Sequence, residues 1–328
     1  TLTHSLVDNN SSYKVDTTAP SVDNFTMNDT ELNIDDNATV TLVFSEAVIE
    51  FSSAADITVD NGSLSTMTST DNITWIGYFT PTDDIEDDNN TLSLTDESYT
   101  DLAGNNGPDN QTANYEVETR EPTVSSVEIT SAAGIQNDFV NATDNVSVTA
   151  TFSEVVNVSG NPTLTLVVGS TDRTATYASG DNSTQLVFRY TIQSGETDSN
   201  GISIGANALA LNSGTIKDVA GNDGILTHSA VDNNSSYKVD TTAPSVNSFT
   251  MNDTELKLGD NATVTLVFSE SVIEFSSAAD ITADNGTLST MTSSDDNKTW
   301  IGYFTPTDDI EDDNNTLDLA TSYTDPAG

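Results

Sequence analysis

The chain contains no cysteine, so no disulfide can cross-link it and no thiolate can act as a nucleophile or metal ligand. Only eight lysine and arginine residues stand against 52 aspartate and glutamate residues, which gives a formal net charge of -44 at pH 7. Nucleic acids and anionic membranes attract the opposite sign of charge, so we expect the chain to bind neither. No run of about 18 apolar residues occurs, so no membrane insertion is expected.

Catalytic motifs are also scarce. His4 and His228 are equivalent positions of an internal repeat, and neither has a nucleophile beside it in a catalytic pattern. There is no phosphate-binding glycine loop, zinc-ligand spacing or nucleophile elbow. Asp87 and Asp88 imitate the two carboxylates of a glycosidase, but they lie in a segment that repeats with its module. The sequence therefore predicts that the protein is not an enzyme.

An internal repeat organises the chain. Residues 3–51 return as 227–275, and Trp75–Phe79 returns as Trp300–Phe304 after one residue is inserted in the turn 295–298. A six-residue joint, Val-Asp-Thr-Thr-Ala-Pro, occurs twice, and a weaker relative lies between the two copies. Proline fixes φ and removes a donor, so each joint is predicted to end one module and begin the next. We call these segments the first joint (15–20), the second joint (117–122) and the third joint (239–244).

The joints predict four segments. Residues 1–16 form a terminal strand, 17–119 form module A, 120–240 form module B, and 241–328 form module A′, which lacks its last strand. Residues 1–16 match 226–240, the end of module B. Two interpretations follow. The sequence is a window from a longer repetitive protein, or residues 1–16 of one copy complete module A′ of the next by strand donation.

Alternating apolar and polar residues predict short strands. In Ala38–Phe44, Val40, Leu42 and Phe44 alternate with Thr39, Thr41 and Val43, which is the two-residue period of a half-buried strand. Seven such runs at a spacing of about ten residues are typical of an immunoglobulin-like sandwich. The predicted fold class is therefore all-β, with tandem immunoglobulin-like β-sandwich modules in an extended array. The strands predicted for module A are Ser21–Met27, Ala38–Phe44, Asp56–Asp60, Leu64–Ser69, Thr74–Thr80, Thr91–Leu94 and Ala113–Glu118.

Module B repeats this plan with longer loops. No segment of the chain predicts a long helix, although Gly205–Ala210 could form one helical turn. The strands predicted for module B are Val124–Ser131, Val146–Phe152, Thr163–Gly169, Thr174–Ser179, Gln185–Gln193, Gly201–Leu211 in broken form, and Ser236–Val239.

Acidic residues recur at equivalent places in the modules. In a seven-strand sandwich, the loop after the second strand and the loop before the seventh lie at the end where the module starts. These two loops and the joint carry Glu46, Asp101 and Asp16 in module A, Glu154, Asp218 and Glu118 or Glu121 in module B, and Glu270, Asp325 and Asp240 in module A′. The loop after the fifth strand would face the next module, and it carries Asp83, Asp84, Glu86, Asp87 and Asp88 in module A, and Glu196, Asp198 and Asn200 in module B.

Carboxylates crowded at a seam repel one another unless a cation lies among them. Ca²⁺ accepts six to eight oxygen ligands in irregular geometry, whereas Mg²⁺ demands a rigid octahedron. We therefore predict Ca²⁺ as the cofactor, held at the module ends by these residues. Two alternatives stay open: the acids are only solvated, or Glu46, Glu154 and Glu270 cap loop amides. Arg120 and Glu121 depart from the joint pattern and weaken the prediction at the second joint.

Several short motifs, in their order and spacing, resemble a known family. Thr151–Glu154, Arg173–Tyr177, Phe188–Thr191, Gly201–Ile204 and Asp218–Asn222 resemble motifs of the bacterial Ig-like repeats of giant secreted surface proteins. The joint sequence is similar to joints in large adhesins. The resemblance covers nearly the whole chain and implies an extracellular or cell-surface sandwich array that acts as a stalk, adhesive spacer or filament.

The expected function is thus a calcium-stiffened stalk or spacer of a large cell-surface protein. Its expected partners are neighbouring modules or copies of the same chain, and possible further partners are glycans or another cell surface. One alternative is a filament subunit joined head to tail by strand donation. The other is a carbohydrate-binding module, for which Trp75 and Trp300 would form a platform; we expect them to fill the core instead.

Overall fold

The computed structural model describes residues 13–295 and 297–328, and the structural statements below concern these residues. His4 and most of the predicted terminal strand lie outside them. The chain forms two compact units: one comprises residues up to 123 with 154–157 and 216–225, and the other comprises residues 124–153, 158–215 and 226–328. The four segments predicted from the joints stay a prediction.

The first unit contains the strands that were predicted for module A, with changed bounds. Ala38–Phe44 has the predicted bounds, and every second residue in it is buried. The elements are β1 (Val22–Met27), β2 (Glu31–Leu32), β3 (Ala38–Phe44), β4 (Val48–Ile49), α1 (Ser53–Asp56), β5 (Ile57–Val59), β6 (Gly62–Leu64), β7 (Thr74–Pro81), β8 (Glu86–Asn90), β9 (Leu92–Leu94), β10 (Thr100–Asp101), β11 (Asn110–Gln111) and β12 (Tyr115–Glu118).

These strands form small sheets around one core. The largest has the order β1-β3-β7-β6, and the others have the orders β2-β12-β8, β11-β9-β5 and β10-β4. Strand β12 lies between β2, to which it is parallel, and β8, to which it is antiparallel. Aromatic rings fill the centre: the Phe44 ring lies 4.7 Å from Tyr99, and the Trp75 ring lies 4.9 Å from Phe51. Trp75 therefore packs against the core.

Two local predictions for module A were wrong. The acidic segment expected to be a loop contains strand β8, because its backbone pairs with β12. The predicted strand Leu64–Ser69 shares only Leu64 with β6, whereas the predicted strand Asp56–Asp60 is present as β5, directly after the short helix α1. The Asp56 carboxylate accepts the Ser52 N–H at 2.6 Å, which closes the α1 turn, and the Ser53 hydroxyl accepts the Met67 N–H at 2.9 Å, which ties the turn to the segment after β6.

The second unit begins with the elements predicted for module B. Its main sheet has the order β13-β15-β18-β17-β16-β20, and a second sheet has the order β14-β22-β19. Gly205–Ala210 forms no helical turn, because Leu209 and Ala210 pair with β16. The strands between residues 124 and 240, of which part of β15 and most of β21 belong to the first unit, are β13 (Val124–Ala133), β14 (Phe139–Val140), β15 (Asn145–Ser159), β16 (Thr163–Val168), β17 (Thr171–Ser179), β18 (Ser183–Thr191), β19 (Thr197–Asp198), β20 (Leu209–Ala210), β21 (Thr215–Lys217) and β22 (Lys238–Asp240).

Module A′ repeats the main sheet of module A within the second unit. Its sheet has the order β23-β24-β28-β26, with β27 beside β28, and β25 pairs with β29. Neither of the helices in the described residues is long and apolar enough to cross a membrane. The elements are β23 (Val246–Met251), β24 (Ala262–Phe268), α2 (Ser277–Asp280), β25 (Ile281–Ala283), β26 (Gly286–Leu288), β27 (Thr292–Ser293), β28 (Thr299–Pro306) and β29 (Leu317–Leu319).

Candidate cation sites at the module joints

Three acidic side chains meet where the first joint enters module A. Asp16, Glu46 and Asp101 each offer a carboxylate oxygen, and these oxygens lie within 4.8 Å of one another. Glu46 follows strand β3, Asp101 ends strand β10, and Asp16 lies in the joint before β1. Asp101 is buried and Asp16 is exposed, so the group opens to solvent on one side. We call it the first acidic cluster.

The repeat builds the same group again in the second unit. Asp240, Glu270 and Asp325 bring their carboxylate oxygens within 4.8 Å of one another. Asp240 ends strand β22, Glu270 follows β24, and Asp325 is buried. We call this group the second acidic cluster. Among the described residues, these are the two groups of three acids that come so close.

The buried aspartate of each cluster is held by its own loop. Asp101 accepts the N–H groups of Ala103 at 2.7 Å and Asn105 at 2.9 Å through Oδ1, and the Asn105 amide donates to its Oδ2 at 2.7 Å. Hydrogen bonding, chiefly from the Asn105 side chain, lowers the pKa of Asp101. The Asn105 amide also donates to the Thr18 carbonyl at 3.2 Å, so it connects the loop to the first joint.

In each cluster, the surroundings disfavour the charged form of the glutamate. Burial raises the pKa of Glu46, and the charges of Asp16 and Asp101 raise it further. Burial and then the charges of Asp240 and Asp325 likewise raise the pKa of Glu270. The pKa of Asp325 is raised as well, first by burial. A cation among these groups would relieve the repulsion.

The donor chemistry of the clusters fits a hard cation. Each cluster supplies carboxylate oxygens only, and no nitrogen or sulfur ligand takes part. Three carboxylates can bind through one or both oxygens, and water can complete the six to eight ligands that Ca²⁺ takes. The exposed side of each cluster leaves room for that water.

The second joint is built differently. Glu118, Glu154 and Asp218 occupy the equivalent positions in the first unit, but they do not form a three-acid group as close as the other two. Burial raises the pKa of Glu154, followed by the charges of Glu118, Asp218 and Glu86, whereas Arg120 lowers it. The Arg120 guanidinium lies 2.6 Å from Glu86 and 3.6 Å from Asp84. An arginine thus provides positive charge at this joint.

The remaining acids predicted in the segment 83–90 are dispersed. Asp84 and Glu86 contact Arg120, whereas Asp83 and Asp88 are exposed to solvent. Asp87 accepts the Asn61 amide at 2.9 Å and the Asn89 N–H at 3.0 Å. The structure does not bring three of these side chains together as it does in the clusters.

In module B, the predicted acids of the corresponding loop face inward. Glu196 is buried, forms an ion pair with Arg173, and accepts the Tyr190 hydroxyl at 2.6 Å. Asp198 is also buried and accepts the Gly169 N–H at 2.7 Å. Asn200 is exposed, and its backbone N–H donates to Asp198 at 3.2 Å. Internal donors therefore occupy the two carboxylates that were predicted to meet a cation.

Sequence reasoning missed the role of the joint threonines. The Thr119 hydroxyl accepts the Ile85 N–H at 3.0 Å and donates to the Thr82 carbonyl at 2.8 Å. Thr241 does the same in the second unit, where it accepts the Gly195 N–H at 2.8 Å and donates to the Glu196 carbonyl at 3.0 Å. The signal was present, because a threonine follows the joint acid in all three joints.

Comparison with known families agrees with this architecture. The family model described as a bacterial Ig-like domain matches residues 16–117 and 240–328, which is more than half of the chain. The chain belongs to the bacterial Ig-like domain family. The two matched ranges hold the two copies of the repeat, so the predicted family and the tandem Ig-like fold are confirmed. Bacterial Ig-like domains are typically non-enzymatic structural or adhesive modules of surface proteins.

No curated protein matches this bacterial Ig-like chain. Ten chains of solved structures match. One of them, titled "Marsupial T cell receptor", is 10% identical, and the alignment covers 93% of this chain and 96% of that chain with a TM-score of 0.28. That superposition is too loose to support a shared fold.

Proposed function

We propose that this chain is a spacer of an extracellular cell-surface protein, and that its first and third joints bind Ca²⁺ through the two acidic clusters. The family membership supports the structural or adhesive role. One observation supports the cation: the repeat places a joint aspartate, a loop glutamate and a buried loop aspartate within 4.8 Å of one another in both copies.

A shared cation would restrain each joint. Asp16 and Asp240 belong to the joints, whereas the other two acids of each cluster belong to the loops of the module that follows. A Ca²⁺ ion coordinated by all three would fix the joint to those loops. The chain would then be stiffer when Ca²⁺ is present, which is what a spacer requires.

The expected affinity is that of extracellular calcium modules, with a dissociation constant of about 10⁻⁴ to 10⁻³ M. A ligand at one hundred times its dissociation constant stabilises the folded state by about 2.7 kcal/mol. The free energy of unfolding is therefore expected to rise by about this amount per cluster when Ca²⁺ is raised well above the dissociation constant.

Calorimetry on the whole chain tests the proposal. Titration of the metal-free chain with Ca²⁺ at constant ionic strength is expected to show two sites, and thermal melting is expected to shift upward. Glu46→Gln and Glu270→Gln are each expected to remove one site. Glu128→Gln, at an exposed position of strand β13, is the control and is expected to keep both. If the titration shows no heat of binding and the melting temperature does not change, the calcium proposal is wrong. Family membership alone would then support the spacer role.

A further inference from the structure

The outer face of the main sheet of module A presents a tyrosine and an isoleucine among uncharged polar side chains. Phe79 is buried in strand β7, so Tyr78 and Ile76 lie on the opposite face, where they are 59% and 43% exposed. The side chains that flank these two on the neighbouring strands are polar and uncharged: Thr39, Thr41, Ser65 and Thr68. We call these six residues the neutral face of module A.

The repeat builds the same neutral face on module A′. Tyr303 and Ile301 of strand β28 are 56% and 42% exposed. Charge differs between the two copies beside this sheet, because Asp23 corresponds to Asn247 and an isoleucine corresponds to Lys298. All six positions of the face are nevertheless identical in the two copies. The flanking side chains of module A′ are Thr263, Thr265, Ser289 and Thr292.

The outer face of the main sheet of module B is charged instead. Glu128 is exposed on strand β13 between buried Val127 and Ile129, and Arg189 is exposed on strand β18 beside buried Phe188. The neutral face is therefore a property of the repeated module and not of every sheet in this acidic chain. A partner that covers a neutral face desolvates no charged side chain of that face, so the binding of an uncharged partner costs least there.

Hydrogen bonds fix the backbone of the tyrosine in each neutral face. The Tyr78 N–H donates to the Ser65 hydroxyl at 2.9 Å, and the Tyr78 carbonyl accepts the Ser65 N–H at 2.9 Å. Tyr303 and Ser289 make the same two bonds at 2.9 and 2.8 Å. Strands β7 and β28 each lie between two other strands of their sheet. Each tyrosine is therefore presented on a rigid element, which lowers the ordering cost of binding.

The side chains of the neutral face favour a carbohydrate over a protein as the occupant. A sugar ring presents C–H groups that pack on an aromatic ring, and its hydroxyls both donate and accept hydrogen bonds, as serine and threonine hydroxyls do. Protein interfaces need a larger apolar centre than one tyrosine and one isoleucine. Because like-facing residues of a strand are about 6.8 Å apart, Tyr78 and Ile76 form a short straight strip that suits an extended chain.

We propose that the neutral faces of modules A and A′ each bind an extended, uncharged polysaccharide. Tyr78 and Tyr303 would stack on a sugar ring, and the flanking serine and threonine hydroxyls would bond to the sugar hydroxyls. The site differs from the tryptophan platform considered from the sequence, since Trp75 packs against the core. This adhesive function goes beyond the spacer role. Neither face contains a residue of the acidic clusters, so it does not depend on calcium.

Native electrophoresis of the whole chain through gels that contain a dissolved polysaccharide tests the proposal. Hydroxyethyl cellulose or galactomannan is expected to retard the chain, whereas carboxymethyl cellulose, which is anionic, is not. The double variant Tyr78→Ala/Tyr303→Ala is expected to weaken binding at least about tenfold, because each face loses its aromatic anchor. The matched control Tyr78→Phe/Tyr303→Phe keeps both rings and is expected to keep most of the binding. Melting temperatures show whether both variants are folded.

Three outcomes would overturn the proposal. The first is that neither neutral polysaccharide retards the chain, and the second is that the double alanine variant is retarded as strongly as the wild type. The third comes from sedimentation without polysaccharide: a mass that rises with concentration, and does so less in the alanine variant, would assign the faces to a second copy of this chain. All measurements are made in a chelator, so a failure of the calcium proposal leaves this test unaffected.

Discussion

Asn222 connects three parts of the first unit through one side chain. Its amide donates to the Glu118 carbonyl at 2.9 Å and to Asp218 Oδ2 at 2.8 Å, and its carbonyl oxygen accepts the Ile34 N–H at 2.9 Å. At the first joint, the Asn105 amide makes the equivalent donations to the Asp16 carbonyl at 3.4 Å and to Asp101 Oδ2 at 2.7 Å. An asparagine is needed here because an aspartate of the same shape accepts hydrogen bonds but cannot donate them.

We therefore predict that Asn222→Asp destabilises the chain by about 1–3 kcal/mol, the usual result of losing a buried hydrogen-bond partner. Repulsion between the new carboxylate and Asp218 adds to the loss. Denaturant unfolding at neutral pH measures the change. Asn110→Asp makes the same chemical change at an exposed position, and it is expected to have little effect. Equal stabilities of the two variants would contradict the role assigned to Asn222.

The raised pKa of Glu270 predicts how stability depends on pH when no metal is bound. A carboxyl group whose pKa is raised by folding stabilises the folded state below its unfolded pKa, and this contribution is lost as pH rises through the folded pKa. The metal-free chain is therefore expected to gain stability from Glu270 as pH falls from 7 into this range. Melting temperatures at several pH values measure the gain. Glu270→Gln is expected to reduce the slope, and an unchanged slope would contradict the assignment.

At the scale of elements, Thr119 and Thr241 connect the second and third joints to the preceding acidic segment or loop. Thr119 is buried, and its hydroxyl makes two hydrogen bonds to the backbone. Thr119→Val keeps the shape of the side chain but leaves the Ile85 N–H and the Thr82 carbonyl without this partner. We predict a loss of about 1–3 kcal/mol in unfolding free energy. Thr17→Val, at the exposed equivalent in the first joint, is the control, and a comparable loss there would contradict the explanation.

The strands could be predicted where apolar and polar residues alternate clearly. They could not be predicted where only pairing with a neighbouring strand forms them. Val40, Leu42 and Phe44 are fully or almost fully buried, as their spacing in β3 predicted. Strand β8 has the sequence Glu-Asp-Asp-Asn-Asn, which shows no apolar alternation, and it exists because β12 lies beside it. Helix α1 is a single turn, too short for a periodic pattern to show.

The candidate sites were also predictable only in part. Strand order alone brings Glu46 and Asp101 to one end of the module, and the joint brings Asp16 there, so this cluster was predictable from topology. The inward orientation of Glu196 was not, because its ion-pair partner Arg173 lies on another strand, 23 residues earlier in the sequence. Whether a loop carboxylate faces a cation or an internal donor depends on such distant contacts.

At the scale of the whole molecule, the net charge of -44 opposes folding through self-repulsion. Screening acts over about 10 Å at 0.1 M salt and about 3 Å at 1 M salt. We predict that the melting temperature of the metal-free chain rises when sodium chloride is increased from about 0.05 to about 0.5 M. The rise is expected to be smaller in saturating Ca²⁺, because the clusters are then already neutralised. An equal rise in melting temperature with and without Ca²⁺ would indicate that the clusters contribute no more to the repulsion than the other acidic residues do.

Arg120 also predicts how proteolysis responds to a chelator, because a chelator removes Ca²⁺ but leaves a cationic side chain in place. Trypsin cuts after lysine and arginine, and this chain offers it Lys14, Arg120 and Lys238, one at or beside each joint. Removal of Ca²⁺ is expected to speed cleavage after Lys14 and Lys238 and to leave cleavage after Arg120 unchanged, as mass spectrometry of the fragments would show. Uniform acceleration at all three would mean that the second joint also depends on dissolved ions. If both outcomes hold, the second joint has its positive charge built into the chain, whereas the first and third joints take theirs from dissolved Ca²⁺.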